Sequence, residues 1–169
     1  MQTYTSANTS INKAKVPAVF RKVDWRKGTL NLDLGGGKFD TATKYLEELG
    51  VANEIIDPYN RPQIENEIGE WVLASCGGAD TCTLSNVLNV IDTREARLAC
   101  LKYAWDHMKV GGTLYVTVYE GDKSCVGRRT KADCWQNNLP LRVYGNEVWT
   151  IFGNGEVRKG MIIAHKEVC

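Results

Sequence analysis

Three consecutive glycines, Gly35-Gly36-Gly37, stand between a segment typical of a strand and a segment typical of a helix. The predicted strand covers residues 29–34. After the glycines, apolar residues recur at the three- and four-residue spacing of a helix face, at Phe39, Ala42, Leu46 and Leu49. Because glycine has no side chain, such a loop lets the backbone approach a bound molecule closely. This unit therefore predicts a ligand site at the end of the first strand.

The alternation of strands and helices continues towards the C-terminus. Further strands are predicted at 54–56, 81–85 and 113–119, with a strand pair over 156–165. Helices are predicted at 13–24, 63–75 and 142–152. Another helix begins with Asp92 as its cap and ends at Gly111-Gly112. This order predicts an α/β, Rossmann-like fold with a mostly parallel sheet and helices on both faces.

Length and composition indicate one globular domain over residues 1–169. The chain is 43% hydrophobic and 24% charged, which disfavours disordered and coiled-coil proteins. No stretch approaches the roughly 20 apolar residues of a membrane helix, and the first ten residues lack the apolar part of a secretory signal. We therefore expect a cytoplasmic protein. The six cysteines form no C-x-x-C pair, so we expect reduced thiols and no metal site.

Charge is distributed unevenly along the chain. Residues 1–30 contain six basic residues and one acidic residue, whereas residues 31–120 contain seven basic and fourteen acidic residues. Basic residues return within a predicted loop at 120–139, which we expect on the substrate side. This loop and the basic segment 1–24 favour a nucleic acid or another anionic partner. A neutral small molecule held under Trp135 is the alternative.

The residues around the glycines discriminate between nucleotide ligands. A phosphate-binding P-loop needs glycine at position 32 and a hydroxyl residue at position 39, where this chain has Leu32 and Phe39. A dinucleotide fingerprint needs a third glycine where Asp40 stands, and Asp33 and Asp40 would repel a pyrophosphate. These acids suit S-adenosylmethionine, which is cationic here and carries no phosphate. Asp57, at the end of the second strand, is suitably spaced to bind the ribose.

Residues 32–39 (LDLGGGKF) resemble the first motif of the class I, Rossmann-like S-adenosylmethionine-dependent methyltransferases. Asp57 matches the second-strand acid of that family, and residues 79–91 and 109–120 resemble two later strand segments. The resemblance covers about residues 25–120 and implies the family's fold, cofactor and methyl-transfer activity. The chain departs from the family at Phe39, where the motif has glycine. It also lacks a distinct strand with an adenine-binding acid between Tyr59 and Asp80.

The resemblance implies three groups of site residues. The expected cofactor-binding residues are Asp33, Gly35, Gly36, Gly37, Phe39, Asp57, Pro58, Tyr59, Ser85, Asn86 and Val87. The candidate catalytic residues are Asn86, Asn89 and Glu120. The candidate substrate-binding residues are Tyr119, Asp122, Trp135 and Gln136.

Two other functions stay open. Ser85-Asn86-Val87-Leu88 lacks the prolines and the aromatic residue of methyltransferases that act on exocyclic amines. The chain could therefore bind S-adenosylmethionine and cleave or sense it without methyl transfer. A nicotinamide-dependent oxidoreductase is the other alternative, and Asp40 disfavours it.

Overall fold

The structure is a computed structural model that describes residues 2–6 and 15–168. The helices are α1 (Ala18–Lys22), α2 (Thr41–Glu48), α3 (Gln63–Ser75), α4 (Arg94–His107) and α5 (Leu141–Phe152). The strands are β1 (Leu30–Leu34), β2 (Ala52–Ile56), β3 (Ala79–Ser85), β4 (Met108–Thr117), β5 (Arg128–Lys131), β6 (Cys134–Gln136), β7 (Glu156–Arg158) and β8 (Met161–His165).

Six of these strands form one sheet, in the order β2-β1-β3-β4-β8-β7. The first four are parallel, whereas β8 runs antiparallel to β4 and pairs with β7 as a hairpin. The strands β2 and β3 lie on opposite sides of β1. The order in which strands are added to the sheet therefore reverses at β1. Ligands of such sheets bind at this reversal, beside the carboxyl ends of the strands. The predicted site therefore lies at the expected edge.

Two hydrophobic clusters cover the two faces of the sheet. One contains Leu32 of β1 with Leu101 of α4 and Tyr144 of α5, and the other contains Phe20 of α1 with Leu46 of α2. Alternate residues of β8 enter different clusters, as the two-residue period of a strand requires. The predicted α/β fold, with a mostly parallel sheet and helices on both faces, is confirmed.

Several predicted boundaries differ from the structure. Thr93, and not Asp92, caps α4, because its hydroxyl accepts a hydrogen bond from the amide of Ala96 at 3.3 Å. This helix ends at His107, and Gly111-Gly112 lie within β4, which follows without a turn. The helix predicted over 13–24 is shorter in the structure, where only α1 is helical. Residues 13–14 of that prediction lie outside the described residues. The same holds for Met1 and residues 7–12 of the basic segment.

The predicted loop at 120–139 contains an antiparallel hairpin, formed by β5 and β6. The sequence did not predict it, because β5 (RRTK) lacks the alternating apolar residues of a half-buried strand and is exposed throughout. None of the helices within the described residues could cross a bilayer.

Candidate functional site

The glycine loop turns tightly at the end of β1. Gly35 and Gly37 have φ angles of +72° and +78°, in the left-handed region that glycine adopts without strain. A Cβ atom on Gly35 would lie 2.7 Å from a methyl carbon of Val87, and one on Gly36 would lie 2.4 Å from a carboxylate oxygen of Asp33. Side chains at positions 35 and 36 would therefore collide with the walls of the loop.

Residues that follow β2 hold this loop in place. The amide of Gly37 donates to Oδ2 of Asp57 at 2.9 Å, and its carbonyl accepts from Nε of Arg61 at 2.9 Å. Arg61 also pairs with Asp40 at 2.5 Å and with Glu65 at 3.1 Å. Carboxylates thus offset the charge of Arg61.

Asp57 lies at the centre of this arrangement. Its side chain accepts four hydrogen bonds, from the amides of Gly37, Tyr59 and Asn60 and from the side-chain amide of Asn60. The residue is only 4% exposed, yet it lines the cavity described below. Asp57 therefore organises the loop as well as lining the cavity.

Asp33 lies behind the loop and does not line the cavity. It is 2% exposed and accepts a hydrogen bond from the hydroxyl of Thr83 at 3.0 Å. Burial away from water raises the pKa of this carboxyl group to about 7. The structure does not bring Asp33 to the ligand side of the glycines, so the predicted direct contact with the methionyl group lacks support.

The segment after β3 forms the floor of the site. Asn86 has a φ angle of +56°, unusual for a residue with a side chain, and its amide donates to the carbonyl of Thr117 at 2.8 Å. This turn sets Val87 against Gly35. Ser85, Asn86 and Val87 therefore line the cavity together with the glycine loop.

A chain of amides connects this floor to the hairpin. The side-chain NH2 of Gln136 donates to the backbone carbonyl of Tyr119 at 2.9 Å, which leaves its oxygen to accept from Nδ2 of Asn89 at 3.1 Å. Because a carbonyl can only accept, Tyr119 fixes the orientation of both amides. Asn137 adds hydrogen bonds to the carbonyls of Leu88, Asn89 and Ile91. The hairpin is thus fixed to the floor by polar side chains.

Glu120 and Asp122 lie apart from the cavity lining. One carboxylate oxygen of Glu120 accepts from the amide of Leu141 at 2.6 Å, at the start of α5, and the other pairs with Lys123 at 3.1 Å. The hydrogen bond from Leu141 and that from Lys123 lower the pKa of Glu120. Asp122 accepts from the amide of Ser124 at 3.0 Å. The structure thus places both acids in turns of the segment after β4.

Trp135 is held from several directions. Its ring stacks on Tyr4 with centroids 5.1 Å apart, and its indole N–H donates to Asn137 at 2.9 Å. Gly127 lies so close that a Cβ there would be 2.3 Å from the ring. Trp135 contributes to the cavity wall, but Tyr4 covers one of its faces, so it is less open to a flat acceptor than the sequence suggested.

Residues 2–6, here called the N-terminal strap, close one side of the site. The amide of Thr3 donates to Asp92 at 3.1 Å, and the amide of Ser6 donates to the carbonyl of Asp133 at 2.8 Å. Gln2, Thr5 and Ser6 line the cavity. No motif in the sequence indicated this role.

These elements enclose a cavity of about 950 Å³, near the upper end of the roughly 300–1,000 Å³ range of ligand pockets. The predicted site residues that line it are Gly35, Gly36, Gly37, Asp57, Pro58, Tyr59, Ser85, Asn86, Val87, Asn89, Tyr119, Trp135 and Gln136. Asp33, Phe39, Glu120 and Asp122 are not among the lining residues. The cavity therefore gathers most of the predicted site and has room for more than one small molecule.

Several polar lining residues were missed in the sequence, namely Asn60, Asn66, Glu70, Tyr103, Arg128 and Thr130. Tyr103 of α4 donates its hydroxyl to Glu70 of α3 at 2.9 Å. Burial and this contact with Glu70 raise the pKa of Tyr103. Only the approach of two helices far apart in sequence brings this pair together. Within residues 2–6 and 15–168, no cluster of histidine, cysteine and acidic residues could hold a metal ion.

Comparison with known proteins identifies the fold. No protein-family model matches the chain, and no curated protein matches it in sequence. Solved structures do match. The 1,6-didemethyltoxoflavin-N1-methyltransferase of Burkholderia thailandensis, solved with S-adenosylhomocysteine, aligns with a TM-score of 0.60 at 16% identity over 84% of this chain and 72% of that chain.

Two further matches support the same architecture. PigF, solved with S-adenosylhomocysteine (SAH), aligns with a TM-score of 0.63 at 18% identity over 89% of this chain, which spans only 55% of PigF. An S-adenosylmethionine-dependent methyltransferase of Methanosarcina mazei aligns with a TM-score of 0.58 at 13% identity over 91% of this chain and 99% of that chain. The chain therefore has the fold of the class I S-adenosylmethionine-dependent methyltransferases.

Proposed function

We propose that the chain binds S-adenosylmethionine in this cavity and transfers its methyl group to an acceptor. One observation carries the proposal: the glycine loop, Asp57 and the floor after β3 line a single cavity at the carboxyl ends of parallel strands. Structures with the same fold, the methyltransferase of B. thailandensis and PigF, hold S-adenosylhomocysteine.

Each element has a distinct part in binding. The glycine loop offers backbone groups at close range. The carboxylate of Asp57 would bind a ribose hydroxyl group in place of the side-chain amide of Asn60, which is one of its four present donors. The polar groups of Asn60, Asn66 and Glu70 line the same cavity and are suited to hydrogen bonds with the adenosine. We place the methionine end beside the loop and the methyl group above Ser85 and Asn86.

The chemistry supplied by S-adenosylmethionine is an electrophilic methyl group, which leaves sulfur while the bonding electron pair stays behind. The floor residues Ser85, Asn86 and Val87 carry no group that titrates near neutral pH. This chain therefore contributes positioning and the exclusion of water. An acceptor that arrives with a free electron pair needs no base, and the strap and hairpin would hold it over the floor.

Cleavage or sensing of the cofactor without methyl transfer is the second candidate. The location of Glu120 favours it, because this candidate acid–base group caps α5 and pairs with Lys123 instead of lining the cavity. In either case we propose a cytoplasmic location, which agrees with the free thiols of Cys76, Cys82, Cys100 and Cys125.

Methyl-labelled S-adenosylmethionine distinguishes these functions. The protein is incubated with it alone, with a nucleic-acid fraction and with a small-molecule fraction of a cell extract. Methyl transfer predicts label in one fraction. Conversion of the labelled cofactor into another labelled small molecule without any fraction would show cleavage, and unchanged cofactor throughout would contradict an enzyme.

Two glycine variants make a matched pair for this assay. Gly35→Ala places a Cβ against Val87 in a left-handed turn, whereas Gly145→Ala adds a Cβ to a helix where no atom lies within 4 Å. We expect transfer to be lost in the first variant and retained in the second. Equal activity in both would contradict the proposed role of the loop.

A further inference from the structure

The hairpin of β5 and β6 brings one arginine to the proposed site and turns its neighbour away. Arg128 and Thr130 line the cavity, whereas Arg129 and Lys131 do not. This alternation follows from the period of a strand, in which successive side chains point to opposite faces. Two adjacent arginines in one exposed strand thus have different surroundings.

The guanidinium groups of these arginines also differ in their partners. Arg129 donates to the backbone carbonyls of Lys131, at 3.0 Å, and Ala132. The guanidinium of Arg128 has no hydrogen-bond or ion-pair partner within the part of the chain that the structure describes. Its charge does act on Asp122, whose pKa is lowered by hydrogen bonds from Ser124 and, to a smaller extent, by Arg128. Five N–H donors in a fixed fork therefore remain available.

The other lining residues of the hairpin leave the positive charge of Arg128 unopposed. Gln136 lies opposite Arg128 across the two strands, and its amide is neutral and already bonded to Tyr119 and Asn89. Two acids line the cavity, Asp57 and Glu70. Asp57 follows β2 and contacts the glycine loop. Glu70 lies on α3 and contacts Tyr103. The cavity therefore has acidic groups beside the proposed cofactor and a cation on the hairpin.

We propose that the acceptor carries an anionic group, a phosphate or a carboxylate, which Arg128 binds at the hairpin side of the cavity. A guanidinium holds such groups through two parallel hydrogen bonds, and the hydroxyl of Thr130 on the same face can donate a third. Arg128 is then a specificity-determining residue that orients the acceptor towards the floor. This inference rests on the proposed methyl transfer.

Binding measured by calorimetry, with the protein saturated with S-adenosylhomocysteine, tests this proposal. The probes are inorganic phosphate, benzoate and a mixed-sequence single-stranded DNA of about 12 nucleotides. We expect Arg128→Gln to weaken the binding of at least one probe by about tenfold or more. Arg129→Gln, which removes the same charge from the same hairpin, should weaken it by less than about twofold.

The outcomes separate the sources of the anion and the possible failures. Arg128-dependent binding of the DNA alone indicates a nucleic-acid acceptor, and binding of phosphate or benzoate indicates a small anionic acceptor. Equal losses in the two variants, or no probe binding at all, would overturn the proposal. Failure of S-adenosylhomocysteine itself to bind would instead contradict the proposed function. If Arg128→Gln does not fold, Arg128→Lys replaces it. This variant keeps the charge but lacks the two parallel donors of the guanidinium, so it should also bind the probe more weakly.

Discussion

Asp33 and Asp57 end neighbouring strands at the glycine loop, yet the surroundings of their carboxyl groups differ. Asp57 accepts four hydrogen bonds, mostly from backbone amides. Asp33 has the hydroxyl of Thr83 as a partner and is shielded from water behind Gly36, and burial raises its pKa to about 7. The two acids therefore call for different tests.

The raised pKa of Asp33 predicts a pH-dependent loss of stability. Below pH 4 the carboxyl group is protonated in the folded and the unfolded chain alike. Between about pH 4 and pH 7 only the unfolded chain releases the proton, so the free energy of unfolding falls as pH rises. Asp33→Asn removes this titration. The difference in the free energy of unfolding between the variant and the native chain should therefore shift in favour of the variant between pH 4 and pH 7, by about 4 kcal/mol at most.

Urea unfolding from pH 4 to pH 8 measures this difference. Asp106→Asn is the control, since Asp106 is exposed and pairs with Lys102. The explanation fails if the free energy of unfolding of Asp33→Asn follows the same pH curve as that of the native chain.

Asp57→Ala should weaken the binding of S-adenosylhomocysteine by at least about tenfold, since it removes the oxygens for the ribose and releases the amide of Gly37. Asp40→Asn, which neutralises a more exposed acid next to the same loop, should change the affinity by less than about twofold. Calorimetric titration of both variants provides the comparison. Native affinity in Asp57→Ala would remove this residue from the site.

At the scale of elements, the strap is a separable part of the site. Its contacts include the hydrogen bond of Thr3 to Asp92, the bonds of Thr5 and Ser6 to Asp133, and the stacking of Tyr4 on Trp135. Short segments outside the sheet open more readily than its core strands. The strap is therefore expected to limit how fast ligands enter and leave.

Asp92→Ala is expected to speed the release of S-adenosylhomocysteine, because the amide of Thr3 loses its acceptor. Asp106→Ala, in the last turn of α4, is the matched control and should leave the rate unchanged. Stopped-flow displacement of bound S-adenosylhomocysteine gives both rates. A release rate in Asp92→Ala equal to that of the control would mean that the strap does not gate the cavity.

The elements also show what sequence patterns can predict. The structure gives α3 the predicted bounds, because its polar and apolar residues recur at helical spacing between Pro62 and Gly77-Gly78. The cap of α4 is displaced by one residue from its predicted position. Asp92 and Thr93 are both good caps, and the sequence does not show that the side chain of Asp92 accepts from Thr3 instead. The hairpin was missed because a short, fully exposed strand carries no hydrophobic signal.

At the scale of the whole molecule, the proposed cofactor side of the cavity was predictable and the proposed acceptor side was only partly so. The glycine loop, Asp57 and residues 85–87 follow strand ends, and parallel strands bring their carboxyl ends to one edge. Contacts between segments far apart in sequence bring the other lining groups to the cavity, namely the strap, Arg128 and the Glu70–Tyr103 pair. Asp33 shows a further limit, because its position in the motif did not reveal that it lies behind Gly36.

The charges around the glycine loop bear on the proposed choice of S-adenosylmethionine as the ligand. Arg61 is engaged by Gly37, Asp40 and Glu65, Lys38 is exposed beside the loop, and Asp57 lines the cavity. Competitive calorimetry with S-adenosylhomocysteine and NAD tests this directly. We predict that S-adenosylhomocysteine binds at least about tenfold more tightly than NAD, since two phosphates would meet the carboxylate of Asp57, whose hydrogen-bond partners are amides and not cations. Tighter binding of NAD, or binding of neither compound, would contradict the assignment of this cavity.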